Sequence, residues 1–577
     1  MTLLKRLGMA AVAILVSGVV IAAEVSLDLK NAMMAANPDQ RLPVIIDYRS
    51  ESNPFKLREQ LRSEARRFRR SAVPRTLQAE ARAAGERVAE RVDALDGRNT
   101  RVLWINSSVS AELSPAAINE LLADPAIVQI RPDGLLDSPF PMAGAALAPE
   151  WNIDAVGVSA LWNRGYLGGS VVVATLDTGV DWLHPELAAS YRGGANSWFD
   201  PYGEHATPYD RTGHGTQVMG LIVGGDVSGS SIGIAPESRW IAAKIFNDSG
   251  SATESAIHAA FQWLLDPDGN PLTDDAPDVV NNSWSIADVG ICNSSFEPDI
   301  AALKAADIAM VFSAGNFGPQ AASGVSPGNN PGAVSIGATD IDTQVAAFSS
   351  RGPSTCDDSL LPKLVAPGDA VQTTDLSFGG MSNYISVSGT SFSAPHVAGV
   401  MALLRDAIPP ASVDELESAL TGTAIDLAAP GPDQDSGYGL IDAVAAVDSL
   451  AYPVDADGDG YGPTLDCNDN DATIYPGAPE IIRDGIDQDC NNYDLTLKAE
   501  QAVYSHDGSS LYLRVTSRLG PAAEVEVVGV GALDYRERYR DWFMNSGPVD
   551  GYAEPVITVR GIEGEIVVVP RKPTPRR

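Results

Sequence analysis

From Trp151 to about Leu450, continuous apolar runs alternate with helical stretches, and this alternation constrains the fold more than any other feature of the chain. The runs include Val171-Val172-Val173-Ala174-Thr175-Leu176, Val279-Val280, Ala309-Met310-Val311-Phe312 and Ala333-Val334-Ser335-Ile336. Glu254 to Leu265 is typical of the helical stretches between them. A strand that is apolar at every position must be buried on both faces, and parallel neighbours need crossover connections. The expected class is therefore α/β, a parallel sheet with helices on both faces. In such sheets reactive side chains gather at the carboxyl ends of the strands.

A chain of 577 residues exceeds what one core organises, and the flanks of the central region read differently. Lys5 and Arg6, the apolar run Leu7 to Ile21 and the small residues Ala22 and Ala23 predict an export signal over residues 1–23. The run falls short of the ~20 apolar residues that a membrane span needs. Strands at Val44 to Tyr48, Val102 to Ile105 and Ile127 to Ile130, a long Arg-rich helical stretch from Phe55 to about Leu95, and a helix opened by Ser114-Pro115 make a small α+β unit over residues 24–147. Its end, Ser138 to Pro149, is rich in Ala, Pro and Gly and reads as an exposed, cleavable linker. The α/β region is assigned to residues 148–452. An Asp-rich segment follows at 453–494, and a small β-sandwich-like domain with a basic tail at 495–577.

The formal charge of −35 argues against nucleic acid as a partner and suits a chain that binds hard cations. Four cysteines allow three pairings, of which Cys292 with Cys356 and Cys467 with Cys490 keep each bridge inside one region.

Three motifs carry chemistry. In Leu176-Asp177-Thr178-Gly179-Val180 a carboxylate ends an apolar strand, where it can orient an imidazole. In Gly213-His214-Gly215-Thr216 a histidine between glycines starts a helical pattern. In Ser388-Gly389-Thr390-Ser391-Phe392-Ser393-Ala394 a serine opens a helix, where free backbone N–H groups lie beside any oxyanion formed there. The remaining histidines, His184, His205, His258, His396 and His506, are read as structural.

Together these motifs resemble the subtilisin-like (S8) serine protease family. The resemblance runs from about Trp151 to Ala445 and includes Ser313-Ala314-Gly315-Asn316 and Gly437-Tyr438-Gly439. Trp151-Asn152-Ile153-Asp154 and Asn281-Asn282-Ser283-Trp284 are most similar to its bacillopeptidase F branch. It implies a peptide hydrolase with Ser391 as nucleophile, His214 as base, Asp177 as its partner and Asn316 in the oxyanion hole. Ser249-Gly250-Ser251 and Ser283-Trp284-Ser285, with Gly315 nearby, would line an extended polypeptide substrate. Trp284-Ser285 departs from the Leu-Gly of many relatives, which would reshape the S1 and S4 pockets. Gly224 to Ile234 lacks a clear match to the family's calcium loop. The N-terminal unit resembles the family's inhibitory propeptide, an intramolecular partner of the cleft, with a permanently attached domain as the alternative. The expected product is a secreted, extracellular monomer with no membrane span.

In the Asp-rich segment, Asp455, Asp457, Asp459 and Asp466 stand at loop positions 1, 3, 5 and 12, with Gly460 at 6 and the carbonyl of Tyr461 at 7. That spacing predicts a structural Ca2+ site. The continuation, with Cys467, Asp484 to Asp489 and Cys490, resembles an Asp-rich bacterial metal-binding motif, some relatives of which bind copper. The segment has no Met or His for soft copper, which favours calcium. The competing reading is a surface protein whose terminal modules do the work on an inactive scaffold.

Overall fold

The computed structural model describes residues 23–570 except 51–52, 63, 140–141, 144–150, 287–288, 378–380, 428–429, 451–456, 458–466, 469, 476–477, 485, 491–493, 505–510, 520–522, 524, 528–530, 537, 547–556 and 562–563. The expected export signal therefore lies outside the described residues, as do Asp455, Asp459, Tyr461 and Asp466 of the predicted calcium loop. The chain divides into two compact units, Met1–Leu450 and Ala451–Arg577.

The centre of the first unit is a seven-stranded sheet. Its order is Leu364–Pro367, Val334–Thr339, Ala309–Ser313, Val279–Asn282, Val172–Asp177, Arg239–Lys244 and Trp198–Phe199, and every neighbouring pair is parallel. The strands are almost wholly buried because helices cover both faces. On one side His214–Val223 and Thr390–Ala407 share a core with Val173, Val311 and Ile336. On the other, Glu254–Leu265 and Glu297–Ala305 share one with Ala174, Ile241 and Met310. After Val172–Asp177 the chain adds Arg239–Lys244 on one side, then crosses to build Val279–Asn282 and its successors on the other. The crevice between Val172–Asp177 and Val279–Asn282 is thus a switch point, the place where such sheets bind ligands.

The N-terminal part forms its own five-stranded sheet, ordered Glu24–Val25, Ile127–Pro132, Leu42–Tyr48, Ser108–Leu113 and Arg98–Leu103. The Ser114 side chain caps the helix Pro115–Leu121 by accepting from Ala117 N, as its Ser-Pro start implies. The Arg-rich stretch is not one helix. It breaks between Pro54–Gln60 and Arg66–Glu80, and the latter runs through a π-turn at Ala81–Gly85 into Glu86–Ala94.

Of the stretch read as a linker, Ser138 and Met142–Ala143 are paired to neighbouring strands, as is the strand just before it. Leu135–Asp137 pairs antiparallel with Ser251–Thr253, Ser138 is buried and donates its N–H to Gly250 O at 2.7 Å, and Met142–Ala143 pairs with Tyr384–Ser388. Backbone pairing needs no particular side chains, so a run of Ala, Pro and Gly hid it.

The second unit contains two four-stranded antiparallel sheets. Leu511, Leu513 and Val515 from one sheet and Val527, Val559 and Ile566 from the other share a single apolar cluster, the arrangement of a small sandwich. Both expected disulfides are present, Cys292–Cys356 and Cys467–Cys490.

Candidate active site

Asp177 is the last residue of its strand and His214 the first of its helix, and both are 1% exposed. His214 Nδ1 lies 2.8 Å from Asp177 Oδ1, so the carboxylate holds the imidazole as the Nδ1–H tautomer and leaves Nε2 as the basic nitrogen. Gly215 permits the approach, because a Cβ there would lie 2.1 Å from Gly179 O and 3.1 Å from Asp177 Cβ.

Sequence reading missed Asp210. Its carboxylate accepts from Thr178 Oγ1, Thr212 N, Gly213 N, Thr216 N and Thr216 Oγ1 and so fixes the turn that leads into His214. Burial pushes its pKa up, against the hydrogen bonds from Gly213 and Thr216. Asp210-Arg211-Thr212 carries no local pattern that marks its carboxylate as a turn anchor.

Ser391 occupies the second position of the helix Thr390–Ala407, so its N–H belongs to the donors a helix leaves unpaired. Its hydroxyl donates to Ser283 O at 3.3 Å, while His214 Nε2 is buried without a hydrogen-bond partner. The His214 ring lies 5.6 Å from that of Phe392, the residue after Ser391, and the Ser–His hydrogen bond is not formed. Catalytic hydrogen bonds often tighten only when substrate binds.

Asn316 follows the strand Ala309–Ser313 and the turn at Gly315. Its Oδ1 accepts from Thr390 N at 2.8 Å and Thr390 Oγ1 at 2.9 Å, which fixes the amide and leaves Nδ2 as a donor. Asn316 Nδ2 lies by the start of the Ser391 helix, 3.4 Å from where a Cβ on Gly389 would stand.

The expected substrate strands are both placed. Ser251 pairs with Asp137, Gly250 accepts from Ser138, and Ser249 sits in the turn before them. Ser283 and half-buried Ser285 follow the strand Val279–Asn282. Trp284 needs a correction: its side chain is 2% exposed and packs near Phe261 and Phe296, so it is core and does not line an open pocket. The Gly224 to Ile234 loop is held by Glu186, which accepts from Val227 N, Ser228 N and Tyr384 Oη.

For the metal segment, Asp457 is half-buried, and carboxylates of Glu480, Asp487 and Asp489 lie within 4.8 Å of one another. Both cysteines of the segment are tied in a disulfide and offer no thiolate. The donors left are oxygens, which fit a hard cation such as calcium and not copper.

A buried Asp–His pair at a parallel-sheet switch point, a helix-end serine and a fixed amide donor together define a serine peptidase of the subtilisin kind. The comparisons agree. The Subtilase family model matches residues 168–439, and a second model, described as a metal-binding motif, matches 466–494. Bacillopeptidase F of Bacillus subtilis is 33% identical over 447 residues, which is 72% of this chain and 29% of that protein. The chain therefore spans under a third of that relative's length. The alkaline protease of Shouchella clausii is 34% identical over 342 residues, 59% of this chain and 78% of that protein. Subtilisin Savinase of Lederbergia lenta is 34% identical over 305 residues, 52% and 99% of the respective chains. The chain belongs to the subtilase family of serine endopeptidases.

Proposed function

We propose that this chain is an exported endopeptidase made as a zymogen, in which residues 24–147 are an inhibitory leader removed by the enzyme itself. The observation that carries this reading is the path of the leader's end. It lies as a strand on Ser251–Thr253, is held through Ser138 by Gly250, and at Met142–Ala143 pairs with the strand that leads into Ser391. The strand after the Ser249 turn and the strand leading into Ser391 thus both hold the leader's end by main-chain pairing, as they would an extended substrate. Main-chain pairing of this kind binds many sequences, in keeping with polypeptide substrates.

In the reaction, His214 Nε2 takes the proton of Ser391 as Oγ attacks the scissile carbonyl, and Asp177 stabilises the imidazolium. Asn316 Nδ2 and the Ser391 N–H donate to the oxyanion. The amine leaves with the proton from His214, and water then cleaves the acyl-enzyme by the same route in reverse. Secretion rests on the basic and apolar run of residues 5–23. No helix among the described residues is long and apolar enough to cross a membrane. Calcium, held by Asp455, Asp457, Asp459, the Tyr461 carbonyl and Asp466, would stiffen the segment after the catalytic unit.

The test is maturation of the purified chain. Wild type should be cut within residues 138–149, as read by N-terminal sequencing, and Ser391→Ala should remain whole. A Ser391→Ala chain trimmed at the same bond would contradict self-processing.

A further inference from the structure

The leader touches the catalytic unit at a second place, far from the serine. The helix Arg66–Glu80 presents Arg66, Arg69 and Arg70 to Asp274, Asp278 and Asp307. These acids mark the amino edge of the sheet: Asp278 precedes the strand Val279–Asn282 and accepts from Val172 N, and Asp307 precedes Ala309–Ser313. Arg405, which also meets Asp307, is at the opposite end of the Ser391 helix. Fourteen helical residues place it about 21 Å from the nucleophile.

The contact has the anatomy of an interface and not of scattered surface pairs. Val73 and Leu77 of the same helix are fully buried in one apolar cluster with Phe261, Leu264 and Leu303. Arg70 is buried and donates to Ala276 O at 3.0 Å and Pro277 O at 2.7 Å as well as to Asp274 and Asp278, a planar fork filling four acceptors. Arg58 and Arg62 add a rim on Asp414. Although burial works against its charge, Arg405 and Arg69 hold the Asp307 carboxyl below the usual carboxylate range.

We infer that the amino edge of the sheet is an exosite for the leader's arginine helix, and that this exosite keeps the cut leader bound and the enzyme silent until the ion pairs are broken. The inference rests on the zymogen reading above. Cleavage frees the tail in the cleft but leaves every arginine contact intact, so departure of the leader is a separate, salt-sensitive step. When the leader leaves, Asp274 and Asp278 lose these arginines, and the uncovered edge is selective for guanidinium groups on a helix.

The test uses the full chain and follows two signals: cleavage by gel and activity on a fluorogenic peptide. Wild type should be cut quickly yet show a lag before activity, shortened several-fold between about 50 and about 500 mM NaCl. Asp274→Asn with Asp414→Asn, which alters the catalytic unit away from its machinery, should shorten the lag about tenfold at low salt and flatten the salt dependence. The final activity should be unchanged. Arg70→Gln should act alike from the leader side; should it impair folding, the aspartate pair decides. A cut aspartate variant with the lag and salt dependence of wild type would overturn the inference. A chain that is never cut would instead overturn the zymogen reading beneath it.

Discussion

The Ser283 hydroxyl donates to the carbonyl of Ser391 at 2.7 Å. That carbonyl has no donor within its own helix, because the residue four positions on is Pro395, which lacks an N–H. Ser283 therefore satisfies the group the proline orphans, while its own carbonyl receives the Ser391 hydroxyl. The first turn of the nucleophile's helix is thus tied by both ends of one residue to the strand expected to line the substrate.

Ser283→Ala leaves that buried carbonyl unpaired and should cost about 1–3 kcal/mol in stability. It should also lower kcat more than it changes KM, since the group it frees positions Ser391. Denaturant midpoints and steady-state kinetics on Ala and Thr variants check both, with Thr expected to restore most of each.

Asn316→Ala should reduce kcat about 100- to 1,000-fold with little change in KM, because the amide meets an oxyanion formed only in the transition state. Thr390→Val, which removes one of the two hydrogen bonds that orient the amide, should give a smaller loss of the same kind.

The three catalytic motifs were legible because each places its reactive residue within a few neighbours that also set its local geometry. Asp177 ends an apolar strand, His214 needs Gly215 beside it, and Ser391 starts a helix of small residues. Asp210 and Trp284 were not legible in the same way. Asp210 acts through a turn that folds its carboxylate onto Gly213 and Thr216, and the Trp284 side chain faces the core for reasons set by Phe261 and Phe296. The arginines of Arg66–Glu80 were visible as composition, but their partners lie about 200 residues away along the chain and no periodicity links them.

His396 gives the catalytic unit a defined response to acid. It is fully buried, donates from Nδ1 to Phe392 O at 2.7 Å and accepts at Nε2 from Asn152 Nδ2 at 2.8 Å, so it is neutral. Burial lowers its pKa from 6.5 to about 4. Between those values the unfolded chain binds the proton and the folded one does not, so stability falls as pH drops from 6.5 and levels off near 4. The full loss is about 3 kcal/mol. Unfolding free energies across this range should show the slope in wild type and a shallower one in His396→Gln.

Glu186 does for the Gly224 to Ile234 loop what a bound cation could do elsewhere, by accepting two backbone N–H groups and the Tyr384 hydroxyl. Chelation should therefore lower the melting of the Asp-rich segment, read by proteolysis between residues 453 and 494, and leave this loop intact. Glu186→Ala should open the loop to proteolysis with calcium present.

A fluorophosphonate probe on the mature chain, with the labelled peptide identified by mass spectrometry, reads whether Ser391 is a nucleophile activated by His214 and Asp177. One probe should attach per chain at Ser391, and His214→Ala should abolish labelling. A matured chain that takes no label, or takes it elsewhere, would show that Ser391 is not the activated nucleophile.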